Sequence, residues 1–301
     1  MNIKEIKRIL FKKKKASIIF NMKYNNKNSY LYSNFIFTLE WFMKYYSPEE
    51  YEYILVEQDV SEKIKIPEKL KIKKYFIYNP EIFNRGWGYN IAVKHFINTD
   101  VAIFCDSDII LEYPQNLIES VNICKKEKKI VSPYKYVTFT TPEERKKILT
   151  NSISNIQFIS NHPVTISGGI VTVNKEAFLE VGGFEEYRIY GGEDRSLDVL
   201  FMSENKFEIL DGYGIHLYHP INHRKKSKQS NLMLQHLNKH YSCSYNSKLK
   251  PYDFIHLFCK HEIEDELKKH IILKNKYFGN INLYENRDEK EINSFPKNKI
   301  F

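Results

Sequence analysis

The chain has 301 residues, 42% of them hydrophobic, enough to bury the core of one large α/β domain with a small appendage or of two modest domains. Its 46 Lys and Arg outnumber its 37 Asp and Glu, and the net charge of +9 fits an anionic partner: a phosphorylated small molecule, a membrane surface or nucleic acid. The four cysteines form no C-x-x-C pair, which excludes a disulfide framework and zinc spacing and fits a reducing cytoplasm, and no apolar run approaches the roughly 20 residues that would span a bilayer.

Residues 1–15 form a basic N-terminal segment ending in Lys12-Lys13-Lys14-Lys15, with Ile3, Ile6, Ile9 and Leu10 able to share one helical face. No long apolar stretch follows, so this is not a secretory signal. A solvated, frayed terminus is the favoured reading; a short helix resting on anionic lipid is the alternative.

Ser17 to Phe20 predicts the first strand and Asn21 to Ser29 a polar loop. Tyr30 to Tyr46 has apolar residues at helical spacing, stopped by Ser47-Pro48. Tyr51 to Val56 predicts a strand ending in Glu57-Gln58-Asp59, and Tyr75 to Tyr78 another. Gly86 to Phe96 reads as a helix, and Val101 to Cys105 as a buried strand running directly into Asp106-Ser107-Asp108. Strands alternating with helices predict an α/β fold, a mostly parallel central sheet covered on both faces. Ligands of such sheets bind beyond the carboxyl ends of the strands, where both acidic segments fall.

From Ile130 the pattern changes. Ile166 to Val173 is strand-like and contains Gly168-Gly169; Lys175 to Val181 predicts a short helix closed by Gly182-Gly183. Gly191-Gly192 precedes Glu193-Asp194, and Ser196 to Ser203 reads as a helix. Phe207 to Leu210 predicts a strand and Ile215 to Tyr218 a further one. Residues 221–228 are basic, 229–275 form a helical C-terminal extension, and 276–301 a charged, poorly ordered tail. The basic residues are spread along the chain, and no recognised motif accompanies them, which argues against nucleic acid as the partner.

Four constellations carry chemistry. Asp106 and Asp108, two apart at a strand end, point to the same side and repel unless a cation joins them; a hard divalent ion with oxygen ligands is the usual answer, with a solvated turn as the alternative. Gly191-Gly192-Glu193-Asp194 offers close backbone approach and two carboxylates at a helix start, as a general base would need, or else a plain acidic cap. In His216-x-x-His219-Pro220, three residues on a strand would turn the rings to opposite sides, so only one histidine is expected in the site. Asn84-Arg85 opens a helix with a residue suited to phosphate, or is a surface arginine.

Taken together, these pieces resemble a known family. Asn84-Arg85, Asn90 and Cys105-Asp106-Ser107-Asp108 resemble the donor half of GT-A glycosyltransferases. Gly168-Gly169, Phe178, Gly182-Gly183-Phe184-Glu185, Gly191-Gly192-Glu193-Asp194, Leu197 and Tyr218-His219 resemble the C-terminal half of the β-1,4-galactosyltransferase and chondroitin polymerase type, a family-2-like group. The resemblance spans residues 16 to 226 and implies a Rossmann-like GT-A domain over 16–228, with a donor half (16–130) and an acceptor and catalytic half (131–228).

The resemblance implies an inverting, metal-dependent transfer of a hexose or N-acetylhexosamine from a UDP-sugar to a hydroxyl of a glycan or glycolipid; the basic N-terminus and the cytoplasmic reading point to surface polysaccharide synthesis. Asp194 would be the catalytic base, with Glu193, also catalytic, helping to hold the acceptor. Asp59, Asn84, Arg85, Asp106, Ser107, Gly168 and Gly169 would bind the donor. Asp106, Asp108 and His219 would serve Mn²⁺ or Mg²⁺, and Tyr190, Gly192 and Glu193 the acceptor. Tyr190 stands where the family has tryptophan, and Asn21-Met22-Lys23 where it has a proline-containing turn. The implied location is the cytoplasm, at the inner face of the plasma membrane if the basic terminus engages lipid. The competing reading is a non-catalytic nucleotide-sugar- or glycan-binding module with the same fold.

Overall fold

The computed structural model describes residues 13–24, 29–80, 83–150, 162–163, 166–184, 193–203, 205–220 and 279. The expectations for residues 1–12, 221–228, the 229–275 extension and the 276–301 tail lie outside the described residues, apart from residue 279.

The first half is built as its apolar runs dictate. β1 (Ser17–Met22), β2 (Glu52–Asp59) and β4 (Val101–Cys105) are buried along their whole length. Such strands read as continuous apolar runs because both faces are covered. In β1, Ile18 and Phe20 join one core while Ile19 joins the other; in β4, Ile103 and Cys105 alternate with Ala102 and Phe104 in the same way. α1 (Ser29–Tyr45) lies on the first core, with Phe35 and Phe42 edge-on to Phe20 at 5.4 and 5.8 Å. The second core takes Trp87, Ile91 and Val93 from α2 (Arg85–Ile91) and the π-helical turn Ala92–Phe96 that continues it.

With β3 (Lys73–Tyr78), β6 (Ile130–Ser132), β9 (Ile170–Asn174) and β10 (Phe207–Ile209), these strands form a seven-stranded sheet ordered β10-β6-β9-β4-β1-β2-β3. All pairs are parallel except those of β9 with β4 and β6. The chain winds from β1 outward to β3 and then returns to place β4 on the other side of β1. That reversal opens a crevice at the carboxyl ends of β1 and β4. Because β9 runs backwards, its start lies at this same edge.

A smaller sheet, ordered β5-β11-β7-β8, comprises β5 (Ile109–Leu111), β7 (Tyr136–Phe139), β8 (His162–Pro163) and β11 (Tyr213–His216). α3 (Gln115–Lys126), α4 (Pro142–Leu149), α5 (Lys175–Glu180) and α6 (Glu193–Ser203) complete the described helices. α4 starts on a capping box, Thr141 with Glu144, and carries a proline in its first turn.

Two expected strands shift. Residues 166–169 form a turn rather than the start of β9, because Gly169 takes φ +73, outside the strand region. The expected strand over 215–218 is displaced to Tyr213–His216 and stops before Leu217.

Candidate active site at the carboxyl edge of the sheet

The crevice floor is a buried amide network. Gln58 Nε2 donates to Asn21 Oδ1 (2.8 Å) and to the Asn84 carbonyl (2.7 Å), while Gln58 Oε1 accepts from Asn79 Nδ2 (2.9 Å) and Asn84 N–H (3.2 Å). Asn21 Nδ2 donates to the Arg85 carbonyl (2.8 Å). Asn84 then caps α2 by accepting from Trp87 N–H at 3.0 Å. Gln58 has all four of its amide hydrogen bonds made, and such a buried network holds the turn carrying Arg85 in one geometry. Gly88 is required beneath it, since a Cβ there would collide with the Asn21 side chain.

Arg85 is the hub. Its Nε donates to Asp106 Oδ1 at 2.9 Å and its Nη2 to the Ser167 carbonyl at 3.3 Å. The guanidinium lies over Tyr89 and Phe184, 5.1 and 5.5 Å from the ring centres. Burial disfavours its charge, but Asp106, Glu193 and Asp194 outweigh that and keep it protonated. Nη1 is buried without a hydrogen-bond partner among the described residues, with Glu193 Oε1 3.7 Å away. Asn84 Nδ2 is likewise buried and unpartnered among the described residues.

Asp106 and Asp108 divide the work. Asp106, half exposed, is held by Arg85, and its N–H donates to the Gly169 carbonyl at 2.9 Å. Asp108 is buried and meets two histidines: His219 Nε2 lies 3.2 Å from its Oδ2 and His216 Nε2 3.6 Å from its Oδ1. Asp108, His216 and His219 each offer a ligand atom, all within 4.8 Å of one another. Asp106, also expected among the metal ligands, is not part of this trio. Ser107 sits half-buried in the turn between the two acids.

The pairing of strands explains the meeting. β11 lies antiparallel to β5 with His216 opposite Ile109, and Leu217 N–H donates to the Asp108 carbonyl at 2.7 Å. Beyond His216 the strand ends; Asn34 Nδ2 donates to the Tyr218 carbonyl and Tyr218 N–H to Thr140 Oγ1. The alternation that would separate rings three apart therefore does not apply, and the expectation of a single histidine in the site is corrected. Burial alone would push the Asp108 carboxyl up, but the His216 charge and the hydrogen bond to His219 hold it below its ordinary range. That hydrogen bond in turn raises the His219 imidazole, against the effect of burial.

The opposite wall is α6 and the turn before β9. Tyr134, buried, donates its hydroxyl to the Gly168 carbonyl (2.8 Å) and accepts from Ile170 N–H (2.9 Å). A Cβ on Gly169 would collide with that hydroxyl, so glycine is required both by contact and by its positive φ. At the start of α6, Glu193 faces Arg85; burial and the neighbouring Asp194 push its carboxyl up to about 7. Asp194 lies beside it, its carbonyl accepting from Ser167 Oγ at 2.6 Å. Asp198, one turn on, is buried, accepts from Ile166 N–H (2.9 Å) and Ser167 N–H (2.8 Å), and has its Oδ1 2.6 Å from Ser167 Oγ. Burial pushes it, too, up to about 7. Asn90 clamps the approach to α6: its side chain donates to the Phe184 carbonyl (2.8 Å) and accepts from the Phe184 N–H (2.9 Å).

Arg85 thus brings Asn84, Asp106, Gly168–Gly169, Glu193 and Asp194 to one rim, with Asp108 two residues from Asp106. Asp59 stays at the end of β2; its Oδ1 accepts from Val60 N–H and from Lys63 Nζ, each at 2.7 Å. Tyr190 and Gly192, expected at the acceptor, lie outside the described residues. Tyr134, Ser167 and Asp198 were not anticipated. Of these, only Asp198 had a signal, its i+4 spacing from Asp194 on a helix.

No protein-family model and no curated protein matches this chain. Solved structures do. A structure of GalNAc-T7 with UDP, GalNAc and Mn²⁺ is similar with a TM-score of 0.52 and 13% identity, over 85% of this chain and 55% of that one. This chain therefore spans about half the length of that protein's structure. A mutant of Drosophila β1,4-galactosyltransferase 7 in complex with manganese, UDP-Gal and xylobiose matches at 0.46 and 14%, over 71% of this chain and 75% of that one. The catalytic domain of the same Drosophila enzyme with xylobiose matches at 0.41 and 16%, over the same shares. A seven-stranded, mostly parallel sheet whose strand order reverses at β1 and β4, with an acidic turn directly after β4 and the likeness to GalNAc-T7, gives this chain the GT-A glycosyltransferase fold.

Proposed function

We propose that this protein is a metal-dependent, inverting glycosyltransferase. It would move a hexose or N-acetylhexosamine from a UDP-sugar to a hydroxyl of a glycan or glycolipid in surface polysaccharide synthesis. Two clusters support this reading: Arg85 joins Asp106 to Glu193 at the helix start, and two residues beyond Asp106 the Asp108 carboxylate meets His216 and His219. The UDP, GalNAc and Mn²⁺ held by GalNAc-T7 support the donor class.

Two imidazoles beside one carboxylate fit Mn²⁺ better than Mg²⁺, which prefers oxygen ligands throughout. One carboxylate held ionised and two imidazoles, each with Nε2 turned to that carboxylate, leave room for ligands from a substrate. Such an ion, when bound, neutralises the diphosphate of the leaving group. Arg85 would add charge to that diphosphate, its buried Nη1 having no hydrogen-bond partner among the described residues and so being a donor that a phosphate oxygen could satisfy. Asn84 Nδ2 offers a second such donor. Gly168–Gly169 would lie along the donor sugar.

Asp194 would accept the proton of the acceptor hydroxyl as its oxygen bonds to the anomeric carbon and the bond to UDP breaks. Glu193, with a carboxyl near neutrality, can donate to or accept from an acceptor hydroxyl, and so would hold the acceptor rather than take the proton. A terminus resting on lipid would keep the enzyme beside a membrane-bound acceptor.

Calorimetric titration with UDP, with and without Mn²⁺, followed by a donor screen read by UDP release, tests the proposal. Metal-dependent UDP binding and sugar transfer are expected. UDP binding with no turnover of any UDP-sugar would favour the non-catalytic module, and binding of no nucleotide would end both.

A further inference from the structure

Ser167 presents a proton-counting problem. Its Oγ lies 2.6 Å from the Asp194 carbonyl oxygen and 2.6 Å from Asp198 Oδ1. A hydroxyl carries one proton, and a carbonyl carries none. If the serine proton goes to Asp194, the proton in the other short contact belongs to Asp198. The result is a chain from the Asp198 carboxyl through the Ser167 hydroxyl to the Asp194 carbonyl. Burial of Asp198, which pushes its carboxyl up to about 7, agrees with a protonated group.

The same serine is held on its other sides. Asp198 accepts its N–H at 2.8 Å and that of Ile166 at 2.9 Å, while Arg85 Nη2 donates to its carbonyl at 3.3 Å. Ser167 immediately precedes the Gly168–Gly169 turn, and Asp194 and Asp198 are one helical turn apart on α6. One residue therefore joins the arginine hub, the glycine turn and the first turn of the helix.

We propose that Ser167 and Asp198 are positioning residues for sugar transfer, locking the first turn of α6, and Asp194 with it, against the Gly168–Gly169 turn. This rests on reading the site as that of a glycosyltransferase. Neither residue touches a reactant in the proposed reaction. They matter because base and donor sugar sit on different segments, and a misplacement of about 1 Å can cost roughly 10²-fold in rate.

The test uses the full chain and the variant Ser167→Ala, which deletes the hydroxyl and leaves both backbone bonds to Asp198 possible. The expected result is a kcat for transfer lowered roughly 10- to 100-fold, with donor KM and UDP affinity close to the parental values. Amide exchange at Gly168 and Gly169 should quicken about tenfold as the turn loosens. A variant that transfers sugar at the parental kcat overturns the positioning role. So does a loss in which UDP affinity and melting temperature fall in step with kcat, because that marks general support of the fold. The parental protein separates the two ideas. If it neither binds UDP nor turns over a UDP-sugar, the glycosyltransferase reading falls and takes this proposal with it. If it turns over normally beside an equally active variant, only the positioning role falls.

Discussion

Glu193 and Asp194 are adjacent in sequence, yet they are set different tasks. Glu193 is drawn toward the Arg85 hub and held near neutrality, while Asp194 is pinned by its own carbonyl to Ser167. Replacing Asp194 by Asn should leave metal-dependent UDP binding in place and lower transfer by about 10²–10⁴; an Asp194→Asn enzyme working at the parental rate would remove it as the base. Gly169→Ala forces a side chain into φ +73 and into the Tyr134 hydroxyl, and should cost about 1–3 kcal/mol in denaturant unfolding. Asp198 supplies a pH signature. Its carboxyl is raised from 3.8 to about 7, so the folded state holds a proton that the unfolded state releases. Its contribution is full below the ordinary carboxylate range and is lost as pH rises through about 7. Glu193 behaves alike. The fall in melting temperature between pH 5 and pH 8 should therefore be shallower in Asp198→Asn than in the parental protein. Equal slopes would contradict the protonated state.

At the scale of elements, legibility in the sequence followed burial. β1, β2 and β4 could be read because strands covered on both faces are continuous apolar runs, and the acidic turn because it follows β4 directly. The turn at 166–169 was hidden: Ile166 and Ser167 are as buried as strand residues, and only the Gly169 backbone shows the change. The histidine pair was misjudged because β11 stops at His216, and that stop depends on bonds from Asn34 and Thr140, distant in sequence. Tyr134 and Ser167 carry no local pattern; long-range contacts alone give them their places. The β11–β5 pairing that joins His216 to Asp108 makes a prediction of its own. His216→Ala and His219→Ala should each abolish the Mn²⁺ dependence of UDP binding while leaving the far-ultraviolet circular dichroism unchanged, and retention of Mn²⁺-dependent binding by His216→Ala would return the site to a single histidine.

Across the whole molecule, the proposed metal ligands gather at one end of the small sheet. Asp108 immediately precedes β5, and His216 ends β11, its antiparallel partner. An ion held by all three ligands would clip these two segments together as well as serve the donor. Binding to the folded state alone stabilises by RT ln(1 + [L]/Kd), about 2.7 kcal/mol at a hundredfold excess over Kd. Mn²⁺ at that excess should raise the melting temperature by several degrees without nucleotide present, and a His219→Ala variant should show no rise.

The ladder that this ion would close is short: β5 and β11 pair over only three residues. A cell short of manganese would then do more than idle the proposed enzyme. The stripped form, with one clasp missing at the end of that ladder, would be the more perishable one, opening to proteases sooner, so that metal supply would govern its lifetime as well as its turnover.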